Sequence, residues 1–255
     1  IDYKSSPNFG IDVRLTIDLN LQFIAYKELK SAVESHRARS GSLVMLDARS
    51  GDILAMLNQP SYNPNEPVPN MEVLRNRAVT DAYEPGSTIK PFAILAALEA
   101  GDFRADSMVD TSPGSYLISG HRIKDPINYG VLSLSEIIQF SSNVGISKIA
   151  IDLPNRAIYE VLRRSGFGEQ VDIGLPGETA GSLRATDLEI PVQRAALAYG
   201  YGLTVSPLQL ANAYLKIASL GENRRVSIFK SELKPALDRV HGEAFTAEVI
   251  KMMET

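Results

Sequence analysis

Apolar side chains return every three or four residues in several stretches of the chain, which is the spacing of one helix face. The stretch 19–34 shows this pattern directly behind Asp18, a residue type that commonly caps helix N-termini. Similar patterns fill 88–100, 155–164 and 191–197. We predict a helix in each of these four stretches.

Two further helices are predicted with the help of residues at their starts. Ser133 and Glu136 have the reciprocal spacing of a capping box, so a helix should run from there to about Phe140. The chain ends in another amphipathic pattern, 247–253, which lies behind Thr246.

The strongest helix signal lies at 207–220. Ser206 is a favoured N-cap residue, and Pro207 fits the first helical position because proline has no N–H to lose there. Gly221 follows as a stop signal. These signals agree with the apolar periodicity between them.

Two apolar runs, 42–47 and 52–57, are joined by a glycine-containing turn at 48–51 and predict a β-hairpin. The following Asn- and Pro-rich segment, 58–70, predicts a loop. Residues 102–130 are turn-rich and predict irregular structure. The whole pattern favours one mixed α+β domain with more helix than strand.

Composition excludes several classes of protein. The 255 residues contain no Cys, which excludes disulfide scaffolds, thiol catalysis and Cys-based metal sites. Lys and Arg number 26 against 30 Asp and Glu, so a nucleic-acid partner is not expected. No apolar run approaches the roughly 18 to 20 residues that a bilayer crossing needs.

The candidate chemistry centres on a serine and a lysine. The three histidines, at 36, 121 and 241, form no cluster with ligand spacing, which argues against a zinc site or a histidine base. Ser87 and Lys90 instead stand three positions apart at the start of the helix predicted over 88–100. On one helix face the amine can reach the hydroxyl, and it could act as a base if its surroundings keep it neutral.

Spacing alone does not decide between this reading and a plain helix-capping serine with a solvated lysine. Ser227 with Lys230 and Ser231 with Lys234 have the same spacing, but they lie in a charged, Pro-interrupted stretch and are interpreted as surface residues. A second polar group, 141–143 with the sequence Ser-Ser-Asn, follows the capping-box helix and should lie at a junction between helices. Such a junction can project polar side chains into a cleft.

Together these segments resemble the penicillin-binding proteins, a family of serine D,D-transpeptidases. The family resemblance rests on Glu-Pro-Gly-Ser-Thr-Ile-Lys-Pro at 84–91, followed some fifty residues later by Ser-Ser-Asn-Val-Gly at 141–145. Further segments resemble the class B, cell-division branch of the penicillin-binding protein 3 type from Gram-negative bacteria. These segments are Tyr-Asn-Pro-Asn at 62–65, Arg-Asn-Arg at 75–77, and the runs 140–148 and 199–210.

The resemblance implies a fold and a set of residue roles. The fold would be that of penicillin-binding transpeptidases and serine β-lactamases, an antiparallel sheet flanked by helices plus an all-helical lobe. Ser87 matches the acylated nucleophile and Lys90 the base that takes its proton. Ser141 matches the serine that relays protons to the leaving group, and Asn143 the amide that holds Lys90 and the substrate. Neither a metal nor a cofactor is implied.

The resemblance also implies substrates, partners and location. The substrates would be peptidoglycan stem peptides ending in D-Ala-D-Ala, and β-lactam antibiotics would acylate Ser87. Divisome proteins, including a glycosyltransferase, would be partners of a periplasmic domain anchored in the inner membrane. A D,D-carboxypeptidase, a β-lactamase-type hydrolase, and a non-catalytic β-lactam sensor or scaffold are the alternatives.

One departure from the family pattern concerns its third motif, Lys-Thr-Gly or Lys-Ser-Gly, which occurs nowhere in the sequence. We therefore expect 1–255 to be a transpeptidase domain that lacks a C-terminal part with this motif and the remaining strands of the sheet. A chain of this extent alone is expected to be poorly folded and inactive.

Overall fold

The computed structural model describes residues 10–68, 70–185, 187–230 and 238–254. Its helices are α1 (Leu19–Ser35), α2 (Arg77–Thr80), α3 (Lys90–Ala100), α4 (Leu134–Gln139), α5 (Asn143–Asp152), α6 (Ala157–Arg164), α7 (Pro191–Ala198), α8 (Pro207–Ala218) and α9 (Glu243–Met253). Its strands are β1 (Gly41–Leu46), β2 (Ile53–Gln59), β3 (Met108–Asp110), β4 (Ser115–Ile118), β5 (His121–Lys124), β6 (Val131–Ser133), β7 (Ser182–Leu183) and β8 (Leu203–Thr204). Short 3-10 turns cover Met71–Leu74 and Gly86–Ile89.

The hairpin of β1 and β2 is antiparallel and has a helix on each face. In β1, Leu43 and Met45 pack in a cluster with α1, whereas Val44 and Leu46 pack in a cluster with α8. Successive side chains of a strand point to opposite faces, so this alternation places the hairpin between the two helices. The prediction of an antiparallel sheet flanked by helices is confirmed.

Helix α3 lies at the centre of the helical part of the molecule. All nine residues from 90 to 98 are buried, so this helix has no solvent-facing stripe. It contacts α4, α5, α6, α7 and α9. Pro91 stands in its first turn and Gly101 ends it in the left-handed conformation with φ 80°. The helix that begins at Lys90 is therefore held rigidly by its neighbours.

Most of the predicted helices are confirmed, with changes at their ends. The capping box of Ser133 and Glu136 is formed at the start of α4, and Ser206 caps α8 as predicted. The prediction for the last helix was wrong at its start, because α9 begins after Gly242 and contains Thr246. The Thr246 hydroxyl donates to the Gly242 carbonyl, a bond that a threonine inside a helix can make.

The prediction of irregular structure over 102–130 was also wrong in part. This segment contains β3, β4 and β5, which pair as β3 with β6 and β4 with β5. Each of these strands has only three or four residues, too few for an alternating pattern to be distinguished from a turn. None of the helices in the described ranges combines the length and apolarity that a bilayer crossing needs.

Candidate active site

Ser87 lies on the 3-10 turn Gly86–Ile89, which leads directly into α3, and its side chain is exposed. The turn is docked by a hydrogen bond from the Gly86 N–H to the Gly200 carbonyl, 3.1 Å long. A Cβ at position 200 would lie 1.9 Å from the Gly86 oxygen, so only glycine permits this approach. The backbone around Gly200 thus fixes where the Ser87 hydroxyl is presented.

Lys90 is the first residue of α3 and has only 1% of its surface exposed. Its Nζ donates to Ser87 Oγ at 3.0 Å, as expected for residues three positions apart on a helical turn. An exposed hydroxyl therefore stands directly above a buried amine.

Ser141 and Asn143 reach the same amine from a turn between two helices. At the end of α4 the Ser142 N–H donates to the Ile137 carbonyl and the Ser141 N–H donates to the Ile138 carbonyl. These two bonds form a Schellman motif, whose left-handed position is usually glycine. Here Ser141 occupies that position with φ 55°, a conformation that costs an L residue roughly 1–2 kcal/mol. Asn143 then opens α5.

The Lys90 amine lies within hydrogen-bond distance of four oxygen atoms. Besides Ser87 Oγ, they are the Ser141 carbonyl oxygen at 2.6 Å, Ser141 Oγ at 2.8 Å and Asn143 Oδ1 at 2.8 Å. An ammonium has only three N–H donors, whereas a neutral amine has two donors and a lone pair that can accept from a hydroxyl. The site therefore accommodates an amine that takes a proton from Ser87.

Burial favours the neutral form of Lys90. Desolvation lowers its pKa from 10.5 to about 8, and the negative charge of Asp125 acts in the opposite direction. With a pKa near 8, about a tenth of the Lys90 amine is neutral at pH 7, whereas with the ordinary pKa of 10.5 less than about a thousandth would be neutral.

Asp125 is the important residue that the sequence did not single out. Its carboxylate accepts from Ser142 Oγ at 2.5 Å, from the Asn143 N–H at 2.6 Å and from the Val144 N–H at 3.1 Å. It thus caps the N-terminus of α5, where a negative charge is favourable. Its side chain is buried and holds in place the turn that carries Ser141.

Tyr214 contacts the turn that carries Ser87 from the side of α8. The Tyr214 hydroxyl of α8 donates to the Thr88 carbonyl at 2.7 Å, and burial raises its pKa to about 12, so it remains a donor. The Tyr214 and Phe167 rings pack edge-to-face against Phe92 of α3, with centroids 5.1 and 5.3 Å from the Phe92 centroid. This packing ties the start of α3 to α8.

The other Ser-x-x-Lys pairs are not arranged in this way where they can be described. The Ser227 hydroxyl donates to the Phe229 carbonyl at 2.8 Å and accepts from the Phe229 N–H, which is a local turn bond. No hydrogen bond joins the Ser227 and Lys230 side chains in the described part of the chain. Ser231 and Lys234 lie outside the described residues.

Comparisons with known proteins give a consistent result. A family model described as the penicillin binding protein transpeptidase domain matches residues 41–255. The chain is 42% identical over 246 residues to the peptidoglycan D,D-transpeptidase FtsI of Escherichia coli (strain K12), a match that covers 96% of this chain and 41% of that protein. It is 41% identical over 251 residues to the probable peptidoglycan D,D-transpeptidase PenA of Neisseria meningitidis serogroup A, covering 98% and 43%. The chain thus spans less than half the length of these relatives.

Solved structures show the same fold. A peptidoglycan glycosyltransferase from Burkholderia ambifaria superposes with a TM-score of 0.84 at 36% identity, covering 94% of this chain and 73% of the other. The apo transpeptidase domain of Burkholderia pseudomallei penicillin-binding protein 3 gives 0.84 at 35% identity, covering 94% and 69%.

Proposed function

The chain belongs to the penicillin-binding protein transpeptidase family, in its septal class B branch, and from that membership we propose a reaction for the site around Ser87. The reaction is peptidoglycan D,D-transpeptidation, which cross-links stem peptides at the division septum of a Gram-negative bacterium. Residues 1–255 belong to the catalytic domain. The observation that carries this proposal is the exposed Ser87 hydroxyl 3.0 Å from a buried Lys90 amine.

The first half of the reaction forms an acyl-enzyme. Ser87 Oγ attacks the carbonyl carbon of the penultimate D-Ala of a stem peptide, and its proton passes to the neutral Lys90 Nζ. Ser87 lies at the start of a 3-10 turn, where backbone N–H groups have no partner within the turn. Its N–H can therefore donate to the negatively charged oxygen that forms on the substrate carbonyl. The peptide C–N bond then breaks, and the terminal D-Ala leaves as an amine that takes up a proton.

Ser141 and Asn143 serve the proton transfers and substrate binding in this scheme. Ser141 Oγ, 2.8 Å from Lys90 Nζ, relays the proton from the amine to the leaving nitrogen. Asn143 orients Lys90 through its side-chain oxygen and offers its NH₂ group to a substrate carbonyl. In the second half, the side-chain amine of another stem peptide attacks the ester carbonyl and gives a proton to Lys90 Nζ. The ester C–O bond breaks as the amide cross-link forms, and Ser87 Oγ takes the proton back.

The same membership supports further proposals about the whole protein. β-Lactams carry a strained amide in place of the D-Ala-D-Ala bond and form a slowly hydrolysed ester with Ser87. The protein is anchored in the inner membrane with this domain in the periplasm, where divisome proteins, including a glycosyltransferase, are its partners.

The fate of the acyl-enzyme tests this function. The full-length protein is incubated with a stem pentapeptide, with and without a second stem as amine acceptor, and products are identified by mass spectrometry. We expect D-Ala release and a cross-linked dimer that depends on the acceptor, together with persistent labelling by penicillin. Tetrapeptide without dimer and fast penicillin turnover would indicate a hydrolase, and no D-Ala release would indicate a scaffold.

Replacing Asp125 with asparagine tests how the polar turn is held. The variant keeps one acceptor oxygen but loses the charge, so we expect unfolding free energy to fall by about 2 kcal/mol. Because the Asp125 charge raises the pKa of Lys90, its removal should shift the rising limb of the acylation–pH profile to below pH 8. Penicillin acylation rates across pH and urea unfolding measure the two effects.

The exposed Asp106→Asn, which removes a carboxylate on the surface, is the control for loss of charge. If the acylation–pH profile of Asp125→Asn has the wild-type midpoint and differs only in its maximum rate, the Asp125 charge does not raise the pKa of Lys90.

Replacing Ser141 with glycine separates the hydroxyl from the backbone conformation that presents it. Glycine fits φ 55° without strain, so Ser141→Gly should keep the turn, while Ser141→Ala should be less stable than the glycine variant by about 1 kcal/mol. Both variants lack the relay oxygen, and we expect both to slow penicillin acylation by about 10²–10⁴-fold. Stopped-flow acylation and urea denaturation of the three proteins provide the measurement. A glycine variant that acylates at the wild-type rate would exclude the relay.

A further inference from the structure

A polar cavity lies beside the last turns of α8, away from the residues assigned to the reaction. It has a volume of about 290 Å³ and is lined by α8, by the loop after α6 and by the segment before Val226. Its lining includes Gly166, Glu169, Asn212, Lys216, Arg224 and Arg225. We call it the α8 cavity.

Lys216 is a buried cation with unused hydrogen-bonding capacity. Only 4% of its surface is exposed, and its Nζ donates one hydrogen bond, to the Ser165 carbonyl at 2.9 Å. An ammonium has two more N–H donors, and among the described residues neither has an acceptor. Burial lowers the Lys216 pKa to about 8, opposed by Glu169, so the group is mostly protonated at pH 7.

Asn212, one turn before Lys216 on the same helix, is a second donor that borders the cavity. It is 8% exposed, and its side-chain amide makes no hydrogen bond with any residue that the structure describes. A Cβ at Gly166 would lie 3.1 Å from Lys216 Nζ and 3.2 Å from Asn212 Nδ2, so the two nitrogen atoms lie close together beside Gly166. Two N–H groups of the Lys216 ammonium and the Asn212 amide therefore border the cavity without a protein acceptor in the described residues, and a ligand with acceptor oxygens could bind to them.

The charge of the lining is positive. Arg224 is paired with Glu222 at 2.5 Å, which leaves Lys216 and Arg225 as cations against the single carboxylate of Glu169. The cavity therefore combines an excess of positive charge with N–H donors that have no protein acceptor in the described residues.

We propose that the α8 cavity binds the oxyanion group of a small molecule, a carboxylate or a phosphate, between Lys216, Asn212 and Arg225. This site is independent of the reaction proposed at Ser87, and its test does not use acylation. A carboxylate and a phosphate share this chemistry, and separate titrations distinguish them.

Calorimetric titration of the protein with inorganic phosphate and, separately, with succinate at pH 7 tests the proposal. We expect one saturable site for at least one of the two anions, weakened at least tenfold in Lys216→Met and several-fold in Arg225→Gln. Lys251→Met removes an exposed lysine of α9 that pairs with Glu248, and it should bind like the wild type.

Arg225 is exposed, so we expect Arg225→Gln to fold normally. If Lys216→Met fails to fold, the binding measured for Arg225→Gln still decides the question. Absence of saturable binding of both anions would overturn the proposal. Equal weakening by Lys216→Met and Lys251→Met would also overturn it, because it would show a general effect of charge. Unchanged binding in Arg225→Gln would overturn it as well, because it would show that Arg225 does not contact the anion.

Discussion

Replacing Ser87 with alanine should abolish covalent labelling by penicillin. The variant has no oxygen to attack the lactam carbonyl, and loss of a serine nucleophile typically lowers the rate by about 10⁶-fold. Ser87 is exposed and its hydroxyl bonds only to Lys90 among the described residues, so the fold should be almost unaffected. We expect the unfolding free energy to change by less than about 1 kcal/mol.

Intact-mass analysis of the full-length protein after incubation with penicillin, followed by peptide mapping, measures this effect. The wild type should carry one adduct, on the peptide that contains Ser87. Ser227→Ala is the matched control because it changes another serine of a Ser-x-x-Lys pair, and it should label normally. An adduct that survives in Ser87→Ala and disappears in Ser227→Ala would overturn the assignment of the nucleophile.

The parts of the fold that the sequence predicted are those with complete local signals. The hairpin could be predicted because its two apolar runs and the turn between them are adjacent in the chain. Helix α8 could be predicted because Ser206, Pro207 and Gly221 mark its ends, although the helix itself stops at Ala218. In such segments, the interactions that define the element connect residues only a few positions apart.

The elements that were missed depend on tertiary contacts. Strand β3 has three residues and exists because it pairs with β6, more than twenty positions later in the chain. Helix α2 is a single four-residue turn whose N-cap residue makes no side-chain bond, but the N–H of Ala78 within the helix donates to the side chain of Asn58 near the end of β2. The local spacing of apolar residues cannot show that β3 pairs with β6 or that Asn58 binds α2, because both partners are distant in the sequence.

The residues around Ser87 also divide into those with local sequence signals and those that depend on tertiary contacts. The Ser87–Lys90 pair is local, and the positions of Ser141 and Asn143 could be anticipated from their place between two helices. Asp125 lies 17 positions from Ser142, and no pattern in the sequence around it distinguishes it from an ordinary turn aspartate. Its role follows only from the fold, which brings its carboxylate to the N-terminus of α5.

Replacing Lys90 should show whether it acts as a general base or only as a positive charge. Lys90→Met fills a similar volume without a titratable group and should slow penicillin acylation by about 10³-fold or more, within the range for loss of a general base. Lys90→Arg keeps the charge, but a guanidinium with a pKa above about 12 cannot accept a proton, so it should be similarly slow. If the charge alone were needed to orient Ser141 and Asn143, arginine would restore much of the rate.

The pH dependence adds a second test of the same role. Only the neutral amine can accept the Ser87 proton, and the Lys90 pKa is about 8. The wild-type acylation rate should therefore rise about tenfold per pH unit below pH 8 and level off above it. Lys90→Met has no group that titrates there, and its residual rate should lack this limb. Stopped-flow rates between pH 6 and about 9.5 make the comparison. A wild-type rate that is flat across this range, or a Lys90→Met profile with the same limb, would mean that another group takes the proton from Ser87.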